Sequence, residues 1–389
     1  PKRRASYGET GNDALLDDDL NDVWYAYQTL YYNGMNNAGE GGIFFQSFGN
    51  KDLKWETQVS SDLALEFGLF DRLTGSIEYF QKNSKDLLFS VPTPTSSGVT
   101  SIWKNLGKVK NNGVEINLDY QAFKNKDWTV SVGANATFVS NTVKSLPEGQ
   151  SEIISGTKKI SVGHSMYDFW LKEYYGVDPD NGSALYVFDD GETNGVANQT
   201  WDDKTCIDKN GKKLTYDQSK AKYHYCGSSI PDVFGGFNFN VKYRAFELNG
   251  VFSYAIGGKI YDGNYRNLMT NQYGYAMSKD VMKAWKQAGD ITDVPRLDQS
   301  QATNFDAVSD RWLVKSDYLS LRTLTLAYSL PKTLISTIGV KNCRLSVSGE
   351  NLFQLNHRQG LNSQANYSGV SYNEYNPART VTFNLNITL

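Results

Sequence analysis

Three histidines, His164, His224 and His357, are where hydrolytic or metal chemistry would first be sought, and they fall in three separate long segments. They lack the mutual spacing of a metal-ligand set, so they read as loop or capping histidines rather than as a catalytic group. Glu115 and Asp119 share one face of an alternating segment, as the paired carboxylates of a glycosidase would. Polar residues repeat along that whole face, however, and a hydrated wall accounts for both. Asp178-Pro179-Asp180-Asn181-Gly182 offers oxygens for calcium but lacks the later Glu of an EF-hand; Pro, Asn and Gly suit a tight turn. The acidic run Asp13, Asp17, Asp18, Asp19 and Asp22 reads as a solvated outer loop, with a cation site as the alternative. No catalytic residue, metal ligand or cofactor site is expected, and the chain is read as not an enzyme.

Binding chemistry is better represented. Trp103, Trp201, Trp285, Tyr223, Tyr225, Tyr367, Tyr372 and Tyr375 all lie in long segments between the alternating ones. Aromatic faces there suit sugar rings, peptide side chains or a protein lid, with packing inside the loops as the alternative for each residue. Cys206 and Cys226 share one long segment, so a disulfide between them is expected in an oxidising compartment, against the alternative of two free thiols. Cys343 sits on an apolar strand face, where a thiol packs as a small hydrophobe.

The elements that would position these groups are strands. In the segment up to Leu389, Val381, Phe383, Leu385, Ile387 and Leu389 alternate with Thr382, Asn384, Asn386 and Thr388. That strict period of two makes one sheet face apolar and the other polar and neutral. The pattern recurs at Leu63 to Leu69, Val114 to Ala122, Trp128 to Phe138, Phe237 to Tyr243, Phe246 to Ile256 and Leu345 to Val347. Near Arg322 the phase slips, from Leu319 and Leu321 to Leu324, Leu326 and Tyr328, as a β-bulge would require. Val132, Leu248, Leu326 and Leu385 should share the apolar face; Asn117, Asn135, Asn240 and Thr325 should share the other.

The 389-residue chain is 40% hydrophobic with a net charge of -3 and a mean hydropathy of -0.50. No apolar run is long enough for a membrane helix, but a transmembrane barrel is also hydrophilic on average, because every second strand residue faces water. Near-neutral charge without a basic patch excludes nucleic acid as a partner. Short connections are read at Asp71-Arg72, Lys124 to Asp127, Asp178 to Gly182 and Arg244-Ala245, with a slightly longer link from Pro331 to Val340. Long ones are read at Glu9 to Lys54, Leu87 to Asn112, Lys144 to Met166, Asp190 to Ile230, Gly258 to Lys315 and Gln354 to Pro377, with a short helix at Lys279 to Gln287. Alternation of short and long puts all short turns at one end of an up-and-down sheet, the asymmetry of outer-membrane barrels. A soluble β-sandwich has no reason to segregate loop length in this way. The expected fold is all-β, an antiparallel transmembrane β-barrel wall of about twelve strands. Aromatics beside the short turns, Phe67, Phe70, Tyr120, Phe123, Trp128, Tyr243, Phe246 and Tyr328, fit an interfacial girdle.

An ordered series of segments then resembles the SusC-type (SusC/RagA-like) TonB-dependent transporters of the Bacteroidetes outer membrane. It runs from Arg4-Ala5-Ser6-Tyr7-Gly8 and Leu53-Lys54-Trp55-Glu56-Thr57 through Asn112-Gly113-Val114-Glu115 and Gly176-Val177-Asp178-Pro179. It continues with Gly257-Gly258-Lys259-Ile260-Tyr261-Asp262, Asp317-Tyr318-Leu319, Gly349-Glu350-Asn351-Leu352-Phe353 and Pro377-Ala378-Arg379-Thr380. The resemblance implies that residues 1–389 are the C-terminal part of a roughly 22-stranded barrel, with the plug and the first strands outside this chain. It also implies import of an oligosaccharide or peptide, driven by TonB, with a SusD-type lipoprotein as lid and outer-membrane lipid around the barrel. A siderophore or cobalamin receptor is the alternative within transport, and a soluble all-β carbohydrate-binding domain the alternative outside it. On this reading Arg3 to Tyr7 and Val381 to Leu389 do not pair with each other, and each has a neighbour that this sequence lacks. Where the family often has an acidic Asp-Pro pair after Leu352-Phe353, this chain reads Gly360-Leu361-Asn362-Ser363, and it ends in Leu389 rather than the usual aromatic.

Overall fold

The computed structural model describes residues 1–15, 21–34, 39–147, 150–191, 199–209, 211–270, 274–335, 339–364, 366–372 and 375–388. Asp17, Asp18 and Asp19 of the acidic run, and Leu389, lie outside them. One antiparallel ten-stranded sheet forms the frame. Its strands are β1 (Lys2–Asn12), β2 (Glu56–Leu69), β3 (Leu73–Pro92), β4 (Ser101–Lys124), β5 (Trp128–Ser145), β6 (Val233–Tyr243), β7 (Phe246–Ile256), β8 (Tyr318–Ser329), β9 (Asn342–Leu355) and β10 (Thr380–Thr388). Each pairs with the next in chain order, an up-and-down sheet. Among the described residues β1 pairs only with β2 and β10 only with β9, so this curved wall does not close on itself.

Register converts the period-two pattern into two different surfaces. Val130, Val241, Leu248, Leu326, Val347 and Phe383 face one another in a row across six strands. One step along, the row is Ser131, Asn240, Asn249, Thr325, Ser348 and Thr382. Successive side chains point to opposite faces, so the wall has an apolar outer face and a polar inner one. The face assignments from sequence hold. The slip at Arg322 is a β-bulge: Val251 pairs with Thr323 and Phe252 with Leu321, leaving Arg322 without an opposite residue.

Short connections at residues 70–72, 125–127 and 244–245, with the longer 330–341, all lie at one end of the wall. Phe70, Asp71 and Arg244 take left-handed φ of 57°, 52° and 51° to make these tight reversals. The expected rings gather there: Trp128 and Tyr243 lie 4.3 Å apart between centroids, and Phe246 and Tyr328 4.6 Å apart.

Two expectations about the other end are corrected. Leu87 to Asn112 is not a loop: β3 and β4 extend through it as one tall hairpin with its tip at 93–100. Asp178 to Gly182 is not a turn of the wall. It joins Tyr174–Val177 to Ala184–Val187 in a separate small sheet within the single long connection from β5 to β6. The second change explains ten wall strands in place of about twelve, since the two strands flanking that turn leave the wall: alternation marks a strand without saying which sheet it joins. The short helix expected from Lys279 to Gln287 is present as a 3-10 helix over Lys279–Lys283.

The long connections fold into a cap. Glu152–Ser155, Lys158–Ser161, Asp168–Lys172 and Tyr223–Ser228 form one four-stranded sheet. Tyr174–Val177, Ala184–Val187, Lys212–Thr215 and Cys206–Lys209 form a second, and Leu313–Lys315, Lys259–Asp262 and Val370–Ser371 a third. The main apolar core of the molecule lies here, not in the wall. Phe169, Leu171, Tyr261, Met269, Phe305 and Trp312 are all at most 2% exposed.

Candidate functional site

The inner face of the wall is a continuous polar ladder. Asn240 Nδ2 donates to Glu247 (2.9 Å), Thr325 and Ser348 hydroxyls lie 2.8 Å apart, and Arg344 pairs with Glu247 at 2.9 Å. Arg4 reaches Glu78 and Glu66 across the first strands. Glu115 lies beside Glu78, and Asp119 beside Thr74. Both carboxylates are part of this hydrated surface.

The cap is tied down over one end of that face by contacts between segments distant in sequence. Asp262, 1% exposed, accepts from Arg358 Nε at 3.0 Å and caps the following short helix at Tyr265 N–H. Arg358 lies 4.4 Å from the Tyr265 ring. Tyr261 pairs in parallel with Val370. His224 Nε2 is 3.0 Å from Asp310. The Asp310 carboxylate first, and then Cys226, hold the His224 imidazole up at about 10 against its burial. Lys158 behaves oppositely. Its ammonium is buried against the Phe169 ring, 3.2 Å from the centroid, and desolvation pulls it down to about 7.

The sequence-selected residues divide between packing and exposure. Trp285 Nε1 donates to the Pro179 carbonyl at 2.9 Å. Tyr225 stacks on His164 at 3.8 Å and meets Trp170 edge-on, while Tyr223 lies parallel to Trp170. Trp201 packs edge-on to Phe188 and donates to Asp203. Trp103 is half-buried in β4, its carbonyl accepting from Asn50. Tyr367, Tyr372 and Tyr375 are exposed, Tyr375 at 97%. The structure does not bring these eight rings together into one platform. His357 is exposed.

The expected disulfide is absent: Cys206 and Cys226 are both buried free thiols. Cys206 belongs to Cys206–Lys209 and Cys226 to Tyr223–Ser228, strands of different sheets. Cys226 packs as a small hydrophobe in the cap core. At the Asp178 loop, burial alone would raise the carboxyl. Bonds from Tyr216, from the Asp180 backbone and from Lys209 overcome that and hold it below the usual range. The Lys209 ammonium stands 3.2 Å from Asp178, so the protein's own cation sits where a metal would, and the loop serves as a turn.

Sequence reading missed a chamber. A cavity of about 450 Å³ opens where inward-facing Phe234, Tyr318 and Arg322 of the wall meet Lys259, Gln364 and Tyr367 of the cap. A second, of about 440 Å³, lies between β9 and residues 356–361 and 376–379, with Arg358 and Arg379 in its lining. The phase slip at Arg322 was the one sequence signal that pointed at the first of these.

A sheet with this facing, one-sided turns and a folded cap is that of an outer-membrane receptor barrel. The chain matches the TonB dependent receptor-like, beta-barrel family over residues 4–217 and belongs to it. It is similar to TonB-dependent receptor P3 of Formosa agariphila, 30% identical over 99% of this chain and 39% of that protein. It is similar also to TonB-dependent receptor SusC of Bacteroides thetaiotaomicron, 24% identical over 100% of this chain and 37% of SusC. Among solved structures it matches the RagAB peptide transporter, with a TM-score of 0.82 and 25% identity over 98% of this chain and 40% of that one. The chain thus spans about two fifths of the length of these relatives.

Proposed function

We propose that this chain is part of the barrel wall and outer loops of a TonB-driven outer-membrane importer for an oligosaccharide or a peptide. The observation that carries this reading is the wall itself: a polar row backs an apolar row on every strand from β5 to β10, and the elaborated connections share one end. Lipid would meet the apolar face, and solute would pass along the polar one. The short turns would be periplasmic and the cap extracellular. The plug and the TonB-contacting segment would belong to parts of the protein outside this chain. A SusD-type surface lipoprotein would cover the cap, whose exposed Tyr372, Tyr375 and Met282 give it apolar contact points. RagAB is a peptide transporter by its description, which supports the peptide as one candidate substrate.

The test is uptake in cells carrying the full-length transporter. Loss of this protein, or loss of TonB alone, is expected to abolish uptake of the substrate. Affinity purification of the intact transporter from outer membranes should retrieve a lipoprotein. Uptake that continues without TonB would overturn the reading, and purification that never retrieves a lipoprotein would remove the lid from it.

A further inference from the structure

The chamber over the inner face has an unusual lining. Arg322 continues the inward alternation of Tyr318 and Ser320 into the bulge of β8, and Thr323 restarts that inward phase one residue later. Its Nε donates to Ser253 Oγ at 3.0 Å, and its Nη2 to Gln364 Oε1. With the oxygen of Gln364 occupied in this way, its Nε2 is a buried donor without a partner, and so is the neighbouring Ser363 hydroxyl. Lys259 is the second cation of the lining. Among the described residues no carboxylate lies within ion-pair range of its ammonium, in contrast to the Arg358, Lys209 and Arg344 pairs elsewhere. Among the described residues that line the chamber there is no Asp or Glu. The Lys259 stem runs beside Gly227, whose φ of 103° favours glycine.

Buried donors normally find acceptors, because an unmet one forfeits its hydration without a replacement bond. Here two cations line one 450 Å³ space with no Asp or Glu among its described lining residues, and the two orphan donors belong to residues of the same lining. Planar guanidinium and flanking donors match a carboxylate.

We propose that this chamber is a carboxylate-binding subsite of the import path, which selects solutes bearing a free carboxyl group. That group would lie between Arg322 and Lys259, accepting also from Gln364 Nε2 and Ser363 Oγ. The tyrosines Tyr318 and Tyr367 would line the adjoining part of the solute. This rests on the import reading above. The carboxyl can come from the C-terminus or an acidic side chain of a peptide, or from a uronic acid of a glycan.

The experiment is calorimetric titration of the full-length transporter in detergent. Paired probes are a short peptide with free C-terminus against its C-terminal amide, and a uronate-containing disaccharide against its neutral counterpart. The subsite predicts that the carboxylate member of at least one pair binds roughly tenfold or more tightly than its neutral partner, as expected for a charge-assisted contact. Arg322→Gln and Lys259→Gln should each remove that preference while leaving the neutral member's affinity unchanged. Lys259→Gln lies on the cap rather than in the wall, so it keeps the test valid if Arg322→Gln does not fold. The pair that shows the preference identifies the source of the carboxylate. Equal binding of both members in both pairs, or a preference that survives both substitutions, overturns the subsite. TonB-dependent uptake that persists in that case leaves the import reading intact, and uptake independent of TonB would instead overturn that reading alone.

Discussion

The wall and the cap of this chain are held together in opposite ways. The wall has almost no core. Its outer side chains stand in the open, Phe383 at 78% and Leu385 at 60% exposure, and its coherence is the hydrogen-bonded ladder from β1 to β10. The cap consists of short strands and single helical turns that would not persist alone, held by a shared core in which Phe305 and Trp312 are 2% exposed. An apolar surface in the open is costly in water and natural in lipid; a dry core built from loops has no such need. The comparison teaches that the wall is designed for its solvent and the cap for its shape.

Substitutions can break the comparison, and the cap core should respond most. Phe305→Ala is expected to cost about 3–5 kcal/mol, confined to the cap. Limited proteolysis of the full-length protein should then cut residues 257–317 while the wall keeps its resistance. Cutting of both regions together would show that wall and cap unfold as one.

On the wall, Leu326→Arg should destabilise by roughly 2–4 kcal/mol in lipid, and Thr325→Arg, one residue away on the inner face, by much less. Urea unfolding of the barrel in vesicles measures both. Equal penalties would remove the distinction between the two faces.

A smaller effect sharpens the account of the cap through pH. His224 is raised from 6.5 to about 10. Its contribution is therefore complete below pH 6.5 and lost as pH rises toward 10. Lys158 is lowered from 10.5 to about 7, so in the unfolded state it holds its proton longer, and the cap gains stability as pH rises over that range. The two slopes oppose each other between pH 7 and 10. Wild-type cap protection in hydrogen exchange should vary little there. His224→Gln should gain protection with rising pH, and Lys158→Met should lose it. Identical profiles in all three would refute the assignment.

The smallest effect is at the turn end. Arg244→Ala removes an exposed pair with Asp127, 3.0 Å long, and should leave the midpoint of the same urea titration essentially unchanged, because solvent screens such a pair.

The sequence by itself determined the wall: its two faces, the bulge at Arg322, the one-sided short turns and the rings beside them. A period of two is a local property, written in consecutive residues such as Val381 to Ile387, and a half-polar sheet leaves little freedom in how to read it. Family likeness was legible for the same reason, in segments such as Gly257 to Asp262 that keep their order. Only the tertiary structure decided the rest. Whether Tyr174–Val177 joins the wall or a cap sheet, whether Cys206 meets Cys226, and whether Trp285 faces solvent or Pro179 all depend on which distant segment arrives as partner. The chamber is the clearest case. Arg322, Lys259 and Gln364 carry no shared motif, and their convergence follows from the parallel pairing of Tyr261 with Val370 and from the pair between the buried Asp262 and Arg358. Those contacts are non-local, and periodicity, being local, has no access to them.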